Sequence, residues 1–209
     1  MTAMILAAGR GERMRPLTDT TPKPLLLVKE KPLIVWHIEK LVSAGFTTII
    51  INIAHLGEQI IDALGDGEKW DIKIIYSDER KSGALETAGA IIKSLEILSE
   101  QFLVVNGDIW CDYDFKLNFN LKDSLAHLIL VPNPKHNPSG DFQYLELYYT
   151  FSGIGYYSKK IFENMSLEKL PLGPILKELT TQNKVSFELH SGIWSDIGTP
   201  ERLDLVNTL

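Results

Sequence analysis

Short, wholly apolar runs alternate along the first half of the chain with stretches of helical periodicity. Met4 to Ala8 is apolar throughout and stops at Gly9, which suits a strand buried on both faces of a parallel sheet. Pro32 to Ala44 carries Leu33, Trp36, His37, Leu41 and Ala44 at helical spacing, with Pro32 in the first turn and Gly45 as the stop. Phe46 to Ala54 is β-branched and apolar, Leu56 to Leu64 is helical and closed by Gly65, and Ile72 to Tyr76 is a further short strand. Thr87 to Leu98 sets Ala88, Ile91, Ile92, Leu95 and Leu98 on one helical face before the apolar strand Phe102 to Val105. This rhythm predicts an α/β fold, Rossmann-like, with a mixed but mainly parallel central sheet flanked by helices.

After Asp108 the pattern becomes mixed. Strands are predicted at Ala126 to Val131, Thr150 to Tyr157 and Val185 to Leu189, with a helix near Pro174 to Thr181. Trp194 to Ile197 is a last short apolar segment, and Thr199-Pro200 opens a final helix. No repeat, low-complexity tract or linker divides the 209 residues, so a single domain is expected over 1–209.

Composition narrows the class. An apolar content of 44% can build one core, and a formal charge of −6 opposes a surface that coats nucleic acid. No nucleic-acid partner is expected. The single cysteine, Cys111, excludes an internal disulfide, and the chain has neither a signal-peptide pattern nor an apolar run near the ~20 residues that span a bilayer. The expectation is a soluble cytoplasmic protein with no membrane partner. His37, His55, His127, His136 and His190 show no pair at metal-ligand spacing and are read as core or surface residues.

The chemistry concentrates where the strands end. Gly9 and Gly11 let the backbone turn just after the first strand, and Arg10, Arg13, Arg15 and Lys23 add positive charge to the same stretch. Exposed N–H groups in such a turn hold anions, so phosphate is the expected guest. A dinucleotide fingerprint would need glycine at Met14, and a P-loop would close on Gly-Lys-Ser/Thr; neither is present. Asp108, following Phe102 to Gly107, sits at the carboxyl edge where the first loop also ends. A hard cation such as magnesium prefers carboxylate and phosphate oxygens, though an Asx turn or helix cap is an equal reading for Asp108 and a stronger one for Asp196 alone.

The string Leu6-Ala7-Ala8-Gly9-x-Gly11-x-Arg13-Met14-x-Pro16-Leu17-Thr18, followed by Pro22-Lys23-Pro24-Leu25, resembles the signature of the sugar-1-phosphate nucleotidylyltransferases. Asn106-Gly107-Asp108 and Trp194-x-Asp196-x-Gly198-Thr199 are similar to that family's two metal-binding motifs, and they come in the right order. The resemblance implies the nucleotide-diphospho-sugar transferase, glycosyltransferase-A-like fold, with a nucleotide half over about 1–110 and a sugar half over about 111–209. It also implies a role for Arg13 and Lys23 in catalysis and for Asp108 and Asp196 in binding Mg2+. Ala8, Gly9, Gly11, Glu12, Arg13, Lys23, Asn52, Glu86, Thr87 and Asn106 are implied as nucleotide contacts. Tyr76 to Gly89 is similar to the base-and-ribose segment, with Glu86 in place of the commoner glycine.

Asp141, Ser152, Gly153 and Lys169 fall in segments that look like the acceptor-binding parts of members acting on N-acetylmuramate 1-phosphate. UTP and that sugar phosphate are therefore the expected substrates, in peptidoglycan-precursor recycling. A guanylyl-, thymidylyl- or uridylyltransferase acting on another sugar 1-phosphate is the runner-up, and a non-catalytic nucleotide-sugar sensor is the alternative of another class. No serine or cysteine lies in a nucleophile motif, in keeping with direct transfer. Two departures stand out. Many relatives carry a Glu-Lys-Pro string whose lysine meets the sugar phosphate; none occurs here, and Lys169 is the candidate replacement. The family's hairpin after Asp-Phe has no Gly, Pro or Asn to turn on between Asp141 and Phe151, so a mobile loop is expected to be missing there.

Overall fold

The structure is a computed structural model and describes residues 1–81 and 83–208. Strand β1 (Thr2–Leu6) leads into a loop that contains the one-turn helix α1 (Leu17–Thr20). A small ribbon, β2 (Leu27–Val28) with β3 (Lys31–Pro32), then delivers the chain to α2 (Leu33–Ser43). Next come β4 (Thr48–Ile53), α3 (Gly57–Leu64), β5 (Lys73–Asp78), α4 (Glu86–Lys93) and β6 (Gln101–Asn106). The second half holds β7 (Ile109–Cys111), β8 (Ala126–Val131), β9 (Phe142–Tyr144) and β10 (Leu147–Ser158). It ends with α5 (Leu172–Thr181), β11 (Val185–Leu189), β12 (Trp194–Asp196) and α6 (Pro200–Thr208).

The main sheet runs β11-β8-β10-β6-β1-β4-β5, with β9 added to β10. β6, β1, β4 and β5 are mutually parallel, while β10 is antiparallel to both β6 and β8. Side chains of a strand alternate between faces, and β1 buries both: Ala3 and Ile5 join the core beneath α2 and α3, whereas Met4 joins the core beneath α4 and α5. A third cluster packs Met14, Val28 and Leu33 against Ile197, Leu203 and Val206, fixing α6 beneath the loop that follows β1.

Element boundaries differ from the sequence pattern at several points. β1 begins earlier than expected and releases Ala7 and Ala8 to the loop, because the Ala7 N–H is taken by the Asn52 side chain rather than by a neighbouring strand. α4 stops at Lys93 instead of Leu98, since the Ser94 N–H is shared between the carbonyls of Ala90 and Ile91 and tightens the last turn. The segment after Asp141 closes a hairpin in the chain as it stands. β9 and β10 pair Tyr144 with Leu147 around Leu145 and Glu146, whose φ values of 48° and 69° are both left-handed.

Two contacts clamp the open end of that hairpin. The Asp141 carboxylate accepts the Phe151 N–H at 2.8 Å, and the Asp141 N–H donates to the Tyr149 carbonyl at 2.8 Å. A left-handed conformation costs a non-glycine residue roughly 1–2 kcal/mol, and Leu145 is also 72% exposed. Replacing Leu145-Glu146 by Asn-Gly, the pair that two-residue hairpins favour, should stabilise the protein by about 1 kcal/mol. Calorimetry should then show a melting temperature roughly 2–4 °C higher.

Candidate active site

The site grows from one level line across the sheet. In the β1–β4 and β1–β6 registers Leu6 stands opposite both Asn52 and Asn106, so three parallel strands end at the same height and their loops diverge from one edge. Asn52 uses both ends of its amide: Oδ1 accepts the Ala7 N–H at 2.7 Å and Nδ2 donates to Glu79 Oε1 at 2.9 Å. The other Glu79 oxygen accepts the Leu85 N–H at 2.8 Å. Glu79 is 0% exposed and ties the loop after β5 to the loop after β1. It is absent from the residues read out of the sequence.

The loop after β1 is shaped by packing more than by glycine. Gly11 is left-handed at φ 64°, and a Cβ there would lie 2.9 Å from the Thr18 methyl group. The Thr18 hydroxyl donates to the Gly11 carbonyl at 2.8 Å, and buried Met14 anchors the turn in the third cluster. Gly9 corrects the sequence reading: it is not left-handed, and a Cβ would meet nothing within 4 Å. At the opposite strand end Gly107 is constrained. Its N–H donates to the Leu6 carbonyl at 2.9 Å, and a Cβ would sit 2.5 Å from that oxygen.

Charge is arranged around the same edge. Lys23 Nζ lies 2.7 Å from Asp108 Oδ2, with the lysine side chain 9% exposed. β12 pairs antiparallel with β7, placing Asp196 opposite Ile109, and the Ile197 N–H donates to the Asp108 carbonyl at 2.7 Å. The two aspartates therefore sit on neighbouring strand ends. Arg202 Nη1 donates to Asp196 at 2.8 Å, and His136 Nε2 is 3.1 Å from the same carboxylate. His136 comes from a loop far earlier in the chain than Asp196, whereas Arg202 lies on α6, the helix that directly follows β12. Among the described residues no group of three or more His, Cys, Asp or Glu side chains could hold a metal.

β7 is held from behind by α2. His37 is 2% exposed, and burial lowers its pKa from 6.5 to about 4, so it is neutral and its Nε2–H donates to the Ile109 carbonyl at 2.8 Å. Lys40 donates to the Cys111 carbonyl at 2.7 Å. Cys111 is buried and burial pushes its thiol up, so the lone cysteine packs and does not act as a thiolate.

A cleft of about 540 Å³ lies above this edge and is lined by Ala8, Gly9, Gly11, Glu12, Arg13, Lys23, Asn52, Glu79, Glu86, Thr87, Asn106 and Asp108. A second cavity of about 410 Å³ shares Glu86, Thr87 and Asn106 with it and adds Asp141, Phe142, Phe151, Gly153, Leu172 and Lys177. Gly153 is left-handed, and a Cβ would approach the Asn106 side chain to 2.6 Å. Ser152 and Lys169 line neither space. The Ser152 hydroxyl accepts the Ile154 N–H and its carbonyl accepts Trp194 Nε1, while Lys169 is 3.7 Å from Glu86. The helix start is bound to the same loop: the Leu170 carbonyl accepts N–H groups from Ala88 and Gly89, and the Leu170 N–H donates to Leu85.

Two variants probe this framework. The unfolded chain protonates His37 near pH 6.5 and the folded chain only near 4, so the unfolded state holds the extra proton between those values. That stability is complete above pH 6.5 and falls by about 3 kcal/mol as the pH drops to 4. Urea unfolding of His37→Gln across this range should show a correspondingly shallower pH dependence; parallel curves would rule out a neutral His37. Glu79→Leu removes the acceptor of the Asn52 amide and the Leu85 N–H, which costs roughly 1–3 kcal/mol for each donor left unpaired. A loss of a few kcal/mol, with faster amide exchange at Leu85, is the expected result.

The nucleotidyl transferase family model matches residues 2–142. N-acetylmuramate alpha-1-phosphate uridylyltransferase of Neisseria meningitidis is 52% identical over 221 positions, covering 97% of this chain and 95% of its own length. The aligned stretch exceeds the 209 residues of this chain, so that relative carries residues missing here. A mannose-1-phosphate guanyltransferase of Hypocrea jecorina is 34% identical over 96% of this chain, which spans 62% of that relative. Among solved structures, a Bacillus anthracis protein provisionally named a glucose-1-phosphate thymidylyltransferase superposes with a TM-score of 0.86 at 24% identity, covering 100% of this chain and 94% of its own. HddC of Yersinia pseudotuberculosis, complexed with GMP-PN, follows at 0.75 and 23%, over 99% of this chain and 98% of its own. These structures share the fold, and with the family pattern lying over the strands and loops that build the cleft, this chain belongs to the nucleotidyl transferase family.

Proposed function

We propose that the protein transfers the uridylyl group of UTP to N-acetylmuramate 1-phosphate, giving UDP-N-acetylmuramate and pyrophosphate, with magnesium as cofactor. The observation that carries the reaction is the junction of two cavities at Glu86, Thr87 and Asn106, with Lys23 and Asp108 lining the first. The substrates are supported by the name of the Neisseria relative, which matches nearly the whole chain. In this reading the chain works as one domain: residues to about 110 take the nucleotide, the remainder takes the sugar, and one continuous sheet through both supports it. The product belongs to the reuse of peptidoglycan precursors in the cytoplasm.

In the transfer an oxygen of the sugar 1-phosphate attacks the α-phosphorus and pyrophosphate leaves. Two polyanions must meet, so positioning and charge neutralisation do most of the work. The loop from Ala8 to Arg13 receives the triphosphate, with Arg13 as its cation. Lys23 serves the phosphates around the reacting centre. Asn52, Glu86, Thr87 and Asn106 hold the nucleoside, and Asp141, Ser152, Gly153 and Lys169 belong to the sugar side. Asp108 and Asp196 fit magnesium: both are hard oxygen donors on adjacent strand ends, each within 2.8 Å of a protein cation that offsets its charge. Two carboxylates suffice for an ion that keeps waters and phosphate oxygens as its other ligands. When bound, magnesium neutralises developing phosphate charge.

Pyrophosphate release over a panel of triphosphates and sugar 1-phosphates tests the reading, with UTP and N-acetylmuramate 1-phosphate expected to be the best pair. A purine triphosphate in first place would overturn the substrates, and no release with any pair would favour a sensor. Lys23→Ala should lower turnover roughly a hundredfold with an unchanged circular dichroism spectrum. Near-normal turnover would remove Lys23 from the mechanism.

A further inference from the structure

We propose that Lys177 on α5, rather than Lys169, selects the acceptor by pairing with a carboxylate carried on the sugar ring. This rests on the reading that the acceptor is N-acetylmuramate 1-phosphate, whose lactyl ether supplies that carboxylate. The two lysines differ in place. Lys169 lies outside both cavities and is 3.7 Å from Glu86. Among the described residues Lys177 is the one cation lining the second cavity, and it has no carboxylate within ion-pair distance.

Helix geometry aims it there. Side chains on a helix lean back over the preceding turn, so Lys177 sweeps over position 173, which also lines the cavity. That position is glycine, and an added Cβ would meet nothing within 4 Å. The lysine stem therefore has open space along the cavity rim.

The remaining lining explains why a carboxylate is the matching group. Phe142, Phe151 and Leu172 present apolar surface suited to the acetyl and lactyl methyl groups. The cavity's acids have local partners already: Asp141 accepts from the Phe151 N–H at 2.8 Å and from Asn137 Nδ2 at 3.1 Å, and Glu86 faces Lys169. Among the described residues, a ligand anion entering this space meets one uncommitted charge of opposite sign, that of Lys177. The ammonium sits at a rim and not in a buried pocket, so its contribution is a modest preference among sugars and not the binding energy of the whole substrate.

The test compares kcat/KM for N-acetylmuramate 1-phosphate with that for N-acetylglucosamine 1-phosphate, which lacks the lactyl group, both with UTP. Wild-type turnover of the muramate sugar comes first; its absence would overturn the substrate reading and this proposal with it. Given that turnover, Lys177→Ala should lower kcat/KM on the muramate sugar about tenfold, chiefly through KM, and leave the glucosamine sugar within twofold. Lys177→Arg should restore the ratio, Lys177→Glu should depress it further, and Lys169→Ala should leave it unchanged. Equal loss on both sugars would assign Lys177 to the shared phosphate, and an unchanged ratio in Lys177→Ala, or a collapse of the ratio in Lys169→Ala, would overturn the assignment while leaving the reaction itself intact.

Discussion

The level ending of three parallel strands is the constraint from which the site follows. Because β1 pairs with β4 and β6 in registers that set Leu6 opposite Asn52 and Asn106, the loops after all three strands start from one line. Backbone groups just past a strand end lack ladder partners and must find others. Here the Ala7 N–H finds the Asn52 amide and the Gly107 N–H finds the Leu6 carbonyl. These bonds turn the chain outward into the cleft at fixed positions. A one-residue slip of either pairing would reverse every side chain of the slipped strand, sending the alternation of Ala3, Met4 and Ile5 into the wrong cores.

Electrostatics then sets what the edge can do. Buried Lys23 pairs with the half-exposed Asp108, and Arg202 closes on Asp196. A buried charge without a partner is costly, whereas a paired one can be held close to where a charged substrate will arrive. The protein thus keeps both aspartates balanced before any ligand comes. Behind them, neutral His37 and the Lys40 ammonium hold β7 by its carbonyls, so the strand that follows Asp108 is fixed from the α2 side.

The two cavities are linked by backbone as well as by shared lining. Leu170 exchanges hydrogen bonds with Leu85, Ala88 and Gly89, and an added Cβ at Gly89 would lie 2.3 Å from the Glu168 carbonyl. The start of α4 on one side and the loop before α5 on the other are therefore bonded directly to each other. Since Leu85 is also bonded to Glu79 and Glu79 to Asn52, this connection reaches back to the loop after β1.

The sequence by itself determined the strand and helix alternation, the mainly parallel sheet and the placing of Gly11 and Asp108 at strand ends along one edge, whereas Asp196 reaches that edge through the β12–β7 pairing. Those features depend on local periodicity and on turn chemistry between near neighbours, which a linear string contains. Tertiary structure decided which charges meet. Lys23 and Asp108 are 85 positions apart, and Arg202 reaches Asp196 together with His136 only because a helix and a distant loop pack against β12. Glu79 was hidden for the same reason, since a charged residue after a strand reads as solvated until Asn52 and Leu85 close over it. Lys169 is assigned to the acceptor side by the match of its segment, and only the folded chain brings Lys177 of α5 to the lining of the second cavity. The hairpin at Leu145 and Glu146 went unseen because the clamp at Asp141 forces a turn that its own residues disfavour. Residue types set what each position prefers locally, and long-range packing sets which of those preferences are overruled.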